Sequence, residues 1–516
     1  MTTVDTPSLV PESEPEERAP AIGATVGRGV AWMMLNTIWS RVMSFAAQYF
    51  LAAWLSHGDF GVYSVAIAFG VFVQFFKDGG GRQLLLQRGV KEYPRLAGSV
   101  FWLALTFNLL AGGILAAIAP AVARGYDDPR YVPMLLLIAL SMPLSTPGAI
   151  LGAKLWLDLR APTFCMIQMG LGLVRYGGAV LLAKLGFGPL SWAWPLVGIA
   201  VCEGIASLAT TRDTAWLRRP DMSLWAELVR TSKWVMLLAL ALATFNQGSF
   251  LVIGKLLSQE VTGVFFFASQ IVMQVEMLVA FNLHQVLFPS LVRLNAEPQR
   301  QREAVLRTLR TLTLIAAPAG LAIALVFQPL EQLLWHGKWA GAVLPVQVLA
   351  VFMSARVLYV VPDAILQARG RFKRLSLMVL ALGLGAMAAA AMGAVAGPGS
   401  PLSISLWIGL YLAAACVTFA MTALDLVGIR PAAFVASVAP AWGLAVTAGA
   451  GVWALDHTSF SGLPPLARAV SAAAVFTLLF AAAARTLLPR HVNEVLRILP
   501  GRVRRFAARI MRLPPI

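Results

Sequence analysis

Three arginines stand where the hydropathy of the chain makes a charge expensive. Arg41, Arg175 and Arg356 lie near the middle of long apolar runs, and a charge at the centre of a membrane-crossing helix costs roughly 2.5–3.5 kcal/mol on insertion scales. A guanidinium stays charged at physiological pH and can grip phosphate or carboxylate oxygens with two parallel N–H donors. Beside Arg41, residues Asn36, Ser40, Ser44 and Gln48 follow at steps of four, a spacing that draws one polar stripe down a helix. Such a stripe either lines a water-filled cavity or serves tight helix packing through its serines. Arg175 shares a helical face with Gln168, and Arg356 is followed by Tyr359 and Asp363 at plus three and plus seven. Further amides stand at Asn246, Gln247, Gln270 and Gln274, and acids at Glu203, Glu276, Asp363 and Asp425. Each arginine therefore has two readings. It receives an anion, or it pairs with Glu203, Glu276 or Asp363 as a structural lock.

The elements that position these residues are helices in a bilayer. The chain has 516 residues, 59% hydrophobic and only 13% charged, where a soluble protein carries about a quarter charged. Its apolar runs reach the ~20 residues that a helix needs to cross ~30 Å of hydrocarbon. Strand-like alternation is absent, so helices must satisfy the backbone. The pattern predicts an all-α polytopic membrane protein of about 14 transmembrane helices. They fall near 28–55, 60–77, 96–123, 131–152, 162–184, 189–210, 232–256, 262–289, 305–335, 341–365, 374–397, 402–427, 431–455 and 465–488.

Charge sets the orientation. One set of connections carries Lys77 to Arg95, Lys154 and Arg160, Arg212 to Lys233, Arg293 to Arg310, Arg369 to Arg374, and Arg430. The alternating set holds only Arg124, Arg130, Lys184, Lys255, Lys338 and Arg468. By the positive-inside rule the first set is cytoplasmic, and an even span count puts both termini there. The net charge of +17 is thus a topology signal, and no nucleic-acid partner is expected. Residues 1–27, rich in Pro, Glu, Ser and Thr, read as a disordered cytoplasmic tail. Residues 489–516 interleave arginines with apolar residues and read as a basic amphipathic helix on membrane lipids. Cys165, Cys202 and Cys416 show no metal spacing and read as buried packing thiols, with no metal site expected. No Walker A motif appears, so direct ATP hydrolysis is not expected.

The chain repeats itself. Leu55–Ala66 matches Leu257–Ala268 at a displacement of 202, with Leu, Ser, Gly, Val and Ala coincident. Pro147–Lys154 matches Pro362–Arg369 at a displacement of 215. Six spans separate equivalent points, so both halves enter from the same side as a parallel repeat with a central site between two bundles. The expected units are a six-helix bundle at 28–211, a linker at 212–231, a second bundle at 232–427, and two appended helices at 428–488.

The loop Asp59-Phe60-Gly61-Val62-Tyr63-Ser64 resembles the polysaccharide-export branch of the multidrug/oligosaccharidyl-lipid/polysaccharide (MOP) exporter superfamily. Leu287-Phe288-Pro289-Ser290-Leu291, Trp335-His336-Gly337-Lys338-Trp339 and Leu366-Gln367-Ala368-Arg369-Gly370-Arg371 are similar to that family too. The resemblance implies a bacterial inner-membrane flippase, not an enzyme, that moves undecaprenyl-diphosphate-linked oligosaccharides to the periplasmic leaflet. A polysaccharide polymerase and glycosyltransferases are its expected partners. In that setting Arg41, Arg175 and Arg356 would receive the diphosphate, and Gln48, Asn246, Gln247, Gln270 and Gln274 the sugar hydroxyls. Glu203, Glu276 and Asp363 are the candidates for H⁺ or Na⁺ coupling, with no other cofactor expected. Three alternatives stand beside it: a lipid II flippase, a cation-coupled drug exporter, and a ligase or polymerase of the same pathway. The last needs a large periplasmic loop, and every external connection here is short.

Overall fold

The computed structural model describes residues 18–74, 85, 88–294 and 297–498. Among them the secondary structure is helical. In the first half, α1 (Arg18–Trp54) and α2 (His57–Val73) form the opening hairpin, followed by α3 (Tyr93–Gly125), α4 (Tyr131–Leu144) and α5 (Thr146–Leu157). Next come α6 (Ala161–Gly172), α7 (Gly178–Lys184) and α8 (Leu190–Thr211). The second half holds α9 (Ser223–Leu256), α10 (Gln259–Arg293), α11 (Pro298–Trp335), α12 (Val343–Arg356) and α13 (Val360–Ala368), then α14 (Phe372–Ala396) and α15 (Pro401–Leu424). The appended pair is α16 (Pro431–Thr458) and α17 (Pro465–Leu487), and a short α18 (Pro489–Ile498) follows.

Ten helical stretches among the described residues are long and apolar enough to cross a bilayer, or eleven if the pair α4–α5, bent by 43°, is one span. The helices α1, α2 and α10 stand outside that count, and fourteen spans require all three to cross as well. The chain is nonetheless a polytopic all-helical membrane protein. Three boundaries differ from the hydropathy reading. Helix α1 starts at Arg18, inside the segment assigned to the tail, and α9 starts at Ser223, inside the linker. The described part of the C-terminal tail, α18, lies on protein: Val492 packs with Leu314, Ala441 and Ala484, and Glu494 pairs with Arg310 at 2.7 Å. Residues 1–17 and 499–516 lie outside the described residues. Of the three cysteines, Cys165 and Cys416 are buried, but Cys202 is exposed. Lipid accepts a thiol as readily as a core does, so an apolar setting alone could not tell the two apart.

The repeat recurs in three dimensions. Ser56 caps α2 by accepting from the Asp59 amide at 3.2 Å, and Asp59 closes the capping box on the Ser56 amide at 3.0 Å. Ser258, 202 residues on, caps α10 from the Val261 amide at 3.4 Å. The matched octapeptides also occupy equivalent places. Pro147–Lys154 runs along α5, after the bend at Ser145, and Pro362–Arg369 runs along α13, after the 3-10 turn Val357–Tyr359. The α-helical run of both fourth spans is therefore interrupted at equivalent points, by a 43° bend in the first half and by a 3-10 turn within one span in the second. Their approach to the preceding span is alike as well. A Cβ on Gly112 would lie 2.7 Å from the Ala139 carbonyl oxygen, and one on Gly320 would lie 2.3 Å from that of Ala350. Small residues at such crossings let membrane helices touch through their backbones.

The two halves meet at the loop end of the opening hairpins. A Cβ on Gly61 would sit 2.0 Å from the Gln259 carbonyl oxygen, and one on Gly263 would sit 1.8 Å from that of His57. These contacts exchange under the 202-residue displacement, which is the self-complementary geometry of a two-fold interface. Around them the closure is polar and aromatic. Lys338 donates to the carbonyls of Ala53 (2.9 Å) and Leu55 (2.7 Å) at the C-terminal end of α1, where a cation also suits the helix dipole. Trp335 and Trp339 donate to the Tyr49 and Ala52 carbonyls at 3.2 and 3.0 Å, and Trp339 stacks on Phe267 at 4.0 Å. In the adjoining loop Arg130 joins Asp59 at 3.0 Å and Asp128 at 2.7 Å. Burial pushes the Asp128 carboxyl up, but the hydrogen bonds from Arg130 outweigh it and hold that carboxyl below its usual range.

A methyl group at the interlock should not fit. Gly263→Ala is expected to cost about 1–3 kcal/mol as an overpacked site, read as a lowered melting temperature in detergent. Gly113→Ala, whose Cβ meets nothing within 4 Å, should leave the melt unchanged. Equal melting of both variants would remove the interlock.

Candidate functional site

Away from this closure, a cavity of about 300 Å³ opens between the two halves. Helix α1 supplies Arg41, Ser44 and Gln48 to its wall, at the spacing of one helical stripe. The second half answers with Gln270 and Gln274 from α10, also one turn apart. Arg41 Nη1 donates to Gln274 Oε1 at 2.9 Å, and Gln274 Nε2 donates to Ser44 Oγ at 3.1 Å. One amide thus uses both of its ends to tie the two halves across the cavity. The side-chain nitrogen of Gln48 is buried with no partner among the described protein atoms, which leaves a donor available to a bound group.

Arg175 reaches the same cavity by a local distortion. The stretch Leu173–Gly177 is a π turn between α6 and α7, a feature that is rare and often found at functional sites. Consecutive residues of a regular α-helix do not share a face, yet Arg175 and Tyr176 both line the cavity. The guanidinium of Arg175 lies 5.6 Å from the Tyr176 ring. Among the described residues the lining contains two guanidinium groups and no carboxylate.

An aromatic wall completes it. Tyr63 of α2 stacks on Trp192 of α8 at 4.3 Å with an interplanar angle of 17°, and Phe266 meets Tyr63 edge-on at 5.7 Å. Residue type alone does not mark Tyr63, Tyr176 or Trp192 as site residues. The signals in the sequence are that Tyr63 belongs to the repeated hairpin and that Tyr176 adjoins Arg175.

The other candidates lie elsewhere. Arg356 is buried at the end of α12, with its guanidinium 4.5 Å from the Phe245 ring and a hydrogen bond to Asn246 Oδ1. Asn246 in turn donates to the Leu242 carbonyl at 2.9 Å. These two come together inside the second half, and neither lines the cavity. Gln247 is likewise outside the lining, with a buried side-chain oxygen that lacks a partner among the described protein atoms. Asp363 is buried and accepts from Gln367 Nε2 with both oxygens at 3.0 Å. Glu203 accepts from Gln168 Nε2 at 3.1 Å and lies against Gly148; no arginine pairs with it among the described residues. Glu276 lies on α10 where side chains fall outside the described residues.

A family model described as "Polysaccharide biosynthesis protein" matches residues 50–344, more than half of the chain. The chain belongs to the polysaccharide biosynthesis protein family. Among curated relatives, the succinoglycan biosynthesis transport protein ExoT of Rhizobium meliloti (strain 1021) is 25% identical over 332 residues. That match covers 63% of this chain and 65% of the relative. The teichuronic acid biosynthesis protein TuaB of Bacillus subtilis (strain 168) is 22% identical, over 68% of this chain and 73% of its own. The fold is that of the MOP superfamily. The lipid II flippase MurJ in an inward closed conformation aligns with a TM-score of 0.69 at 12% identity, over 89% of this chain and all of MurJ. An inward-facing multidrug resistance MATE transporter aligns at 0.60 and 13%, over 75% of this chain and 94% of that one. The family match runs from α1 to the first residues of α12 and so takes in every residue of the cavity lining from Leu51 onward, while Arg41, Ser44, Ala47 and Gln48 precede it.

The bond across the cavity can be measured by itself. A hydrogen bond to a charged group contributes about 1.5–3 kcal/mol, so Arg41→Met and Gln274→Met should each lower stability. The double variant should lose at least about 0.5 kcal/mol less than the sum of the two. Additive losses would show that the contact carries no energy.

Proposed function

We propose that this protein flips lipid-linked oligosaccharides, carried on undecaprenyl diphosphate, from the cytoplasmic to the periplasmic leaflet of a bacterial inner membrane. The observation that carries this reading is the cavity between the halves, with Arg41 and Arg175 in its wall and no carboxylate among the described lining residues. A diphosphate cannot enter hydrocarbon without compensation, and guanidinium groups match its oxygens two at a time. Sugar hydroxyls cost about 1–3 kcal/mol each when buried without partners. Gln48, Gln270 and Gln274 supply amides for them, and the Tyr63–Trp192 wall supplies flat apolar surface. Arg356, Asn246 and Gln247 then act inside the second half rather than on the cargo.

The same wall argues against a cation-coupled exporter of cationic drugs, whose cargo would meet two positive charges. The mechanism we propose is alternating access. With the lysine- and arginine-rich connections in the cytoplasm, the Gly61–Gly263 closure faces the periplasm, and transport opens it while the other face closes. Polymerase and glycosyltransferases of the same export pathway would be its neighbours. Coupling to H⁺ or Na⁺ falls to Glu203, Asp363 or Glu276, three of the acids placed within helices of the bundles.

Export in cells that lack the protein tests the arginine. Arg41→Gln should reduce surface polysaccharide at least about tenfold, the worth of one charge-assisted hydrogen bond, and Arg41→Lys should restore it in part. Normal export by both variants would remove the phosphate role. In vesicles, collapse of the proton gradient should slow flipping, and unchanged flipping would remove proton coupling.

A further inference from the structure

A second basic site lies outside the central cavity, at the start of α14. A hollow there is lined by Trp234 of α9 and by Arg371, Lys373 and Arg374. Lys373 and Lys233 each hold an ammonium against the Trp234 indole, at 5.7 and 5.6 Å. Three cations thus line the mouth and a fourth, Lys233, shares its tryptophan, with no carboxylate among the described lining residues. Among the described residues none of the four forms an ion pair with an acid.

The hollow does not end at the charges. Through Met378 and Ala381 it continues into an apolar groove between α14 and α15, floored by Tyr411 and closed by Thr418 and Thr422. Tyr411 reaches α14, donating to the Leu382 carbonyl at 3.2 Å at a point where Gly385 has no side chain to block it. Ala381 and Ala414 are exposed along this groove. Arg374 reaches over its rim toward the Thr422 carbonyl at 3.5 Å. From Arg371 to Ala381 the helix rises about 15 Å, which is half of a ~30 Å hydrocarbon core. The groove is therefore one leaflet deep, with a tryptophan at headgroup level and cations above it.

We infer that this site binds an anionic phospholipid of the leaflet on the arginine-rich face, with its phosphate at Arg371 and Lys373 and an acyl chain along α14–α15. The one-leaflet depth suits an acyl chain and is too short for the long polyprenyl chain of the proposed cargo. The site shares no residue with the central cavity.

Native mass spectrometry of the full chain in detergent reads the result directly. Phosphatidylglycerol should be retained as one bound lipid, and phosphatidylcholine of the same chains should be retained at least about tenfold less. Each surface cation contributes about fivefold to the binding of an anionic lipid. Arg371→Gln with Lys373→Gln should therefore weaken retention about twenty-five-fold. Ala381→Trp fills the groove at an exposed position without touching a charge, and should abolish retention. Arg41→Gln, which alters only the central cavity, should leave it unchanged. Equal retention of phosphatidylcholine, or persistence of the adduct in Ala381→Trp or in the charge variant, would overturn the site. Displacement of the lipid by glycerol phosphate would reduce it to a bare anion site, and displacement by polyprenyl diphosphate would reassign it to the cargo; either overturns the inference.

Discussion

Two glycines facing two carbonyl groups make the contact on which the structure depends. Gly61 and Gly263 bring the first turns of α2 and α10 together with no side chain between them. That approach seals one end of the cleft and fixes the spacing of the halves at the other. Everything else at the closure fills in around it. Lys338 satisfies the last carbonyls of α1, and Trp339 occupies a fully buried slot beside Phe267 and Phe60. In hydrocarbon there is no gain from hiding apolar surface, so helices associate by close packing and by polar contacts that lipid cannot offer. A backbone contact rimmed by lysine and tryptophan hydrogen bonds uses both.

Beginning one turn beyond the glycines on the same helices, the cleft holds a polar cavity. Arg41 is tolerable in the bilayer because Gln274, itself held by Ser44, meets it across the cleft and because the space beside it is a cavity rather than lipid. Arg175 reaches that space through a π turn, at the cost of a regular helix. The two halves share a scaffold but differ in charge: at the position matching Arg41 the second half carries Ala243, which is buried. Repetition supplies the frame, and divergence within it supplies a cavity that is positive on one side and lined by amides on the other.

The helical membrane class and the repeat were legible because both are written locally. A 202-residue displacement read from one loop became two serine caps and a reciprocal glycine contact. The 215-residue match became two spans whose α-helix is interrupted at equivalent places, one by a bend and one by a 3-10 turn. Five of the eight proposed binding residues, Arg41, Gln48, Arg175, Gln270 and Gln274, line one cavity. Arg356 and Asn246 had equal standing by residue type, yet they face each other inside a bundle. Tyr63 and Trp192 drew no attention as site residues because aromatic residues are common in apolar helices.

Hydropathy, charge asymmetry and self-similarity are properties of neighbouring residues and of fixed displacements, so the sequence by itself determined the helical membrane class, the basic face and the doubled architecture. Which polar groups meet is decided between helices separated by some two hundred residues, where a rotation of one helix by a single residue, about 100°, exchanges cavity for core. Only the tertiary packing could place Arg41 opposite Gln274, turn Arg356 inward, and gather four cations over a groove one leaflet deep.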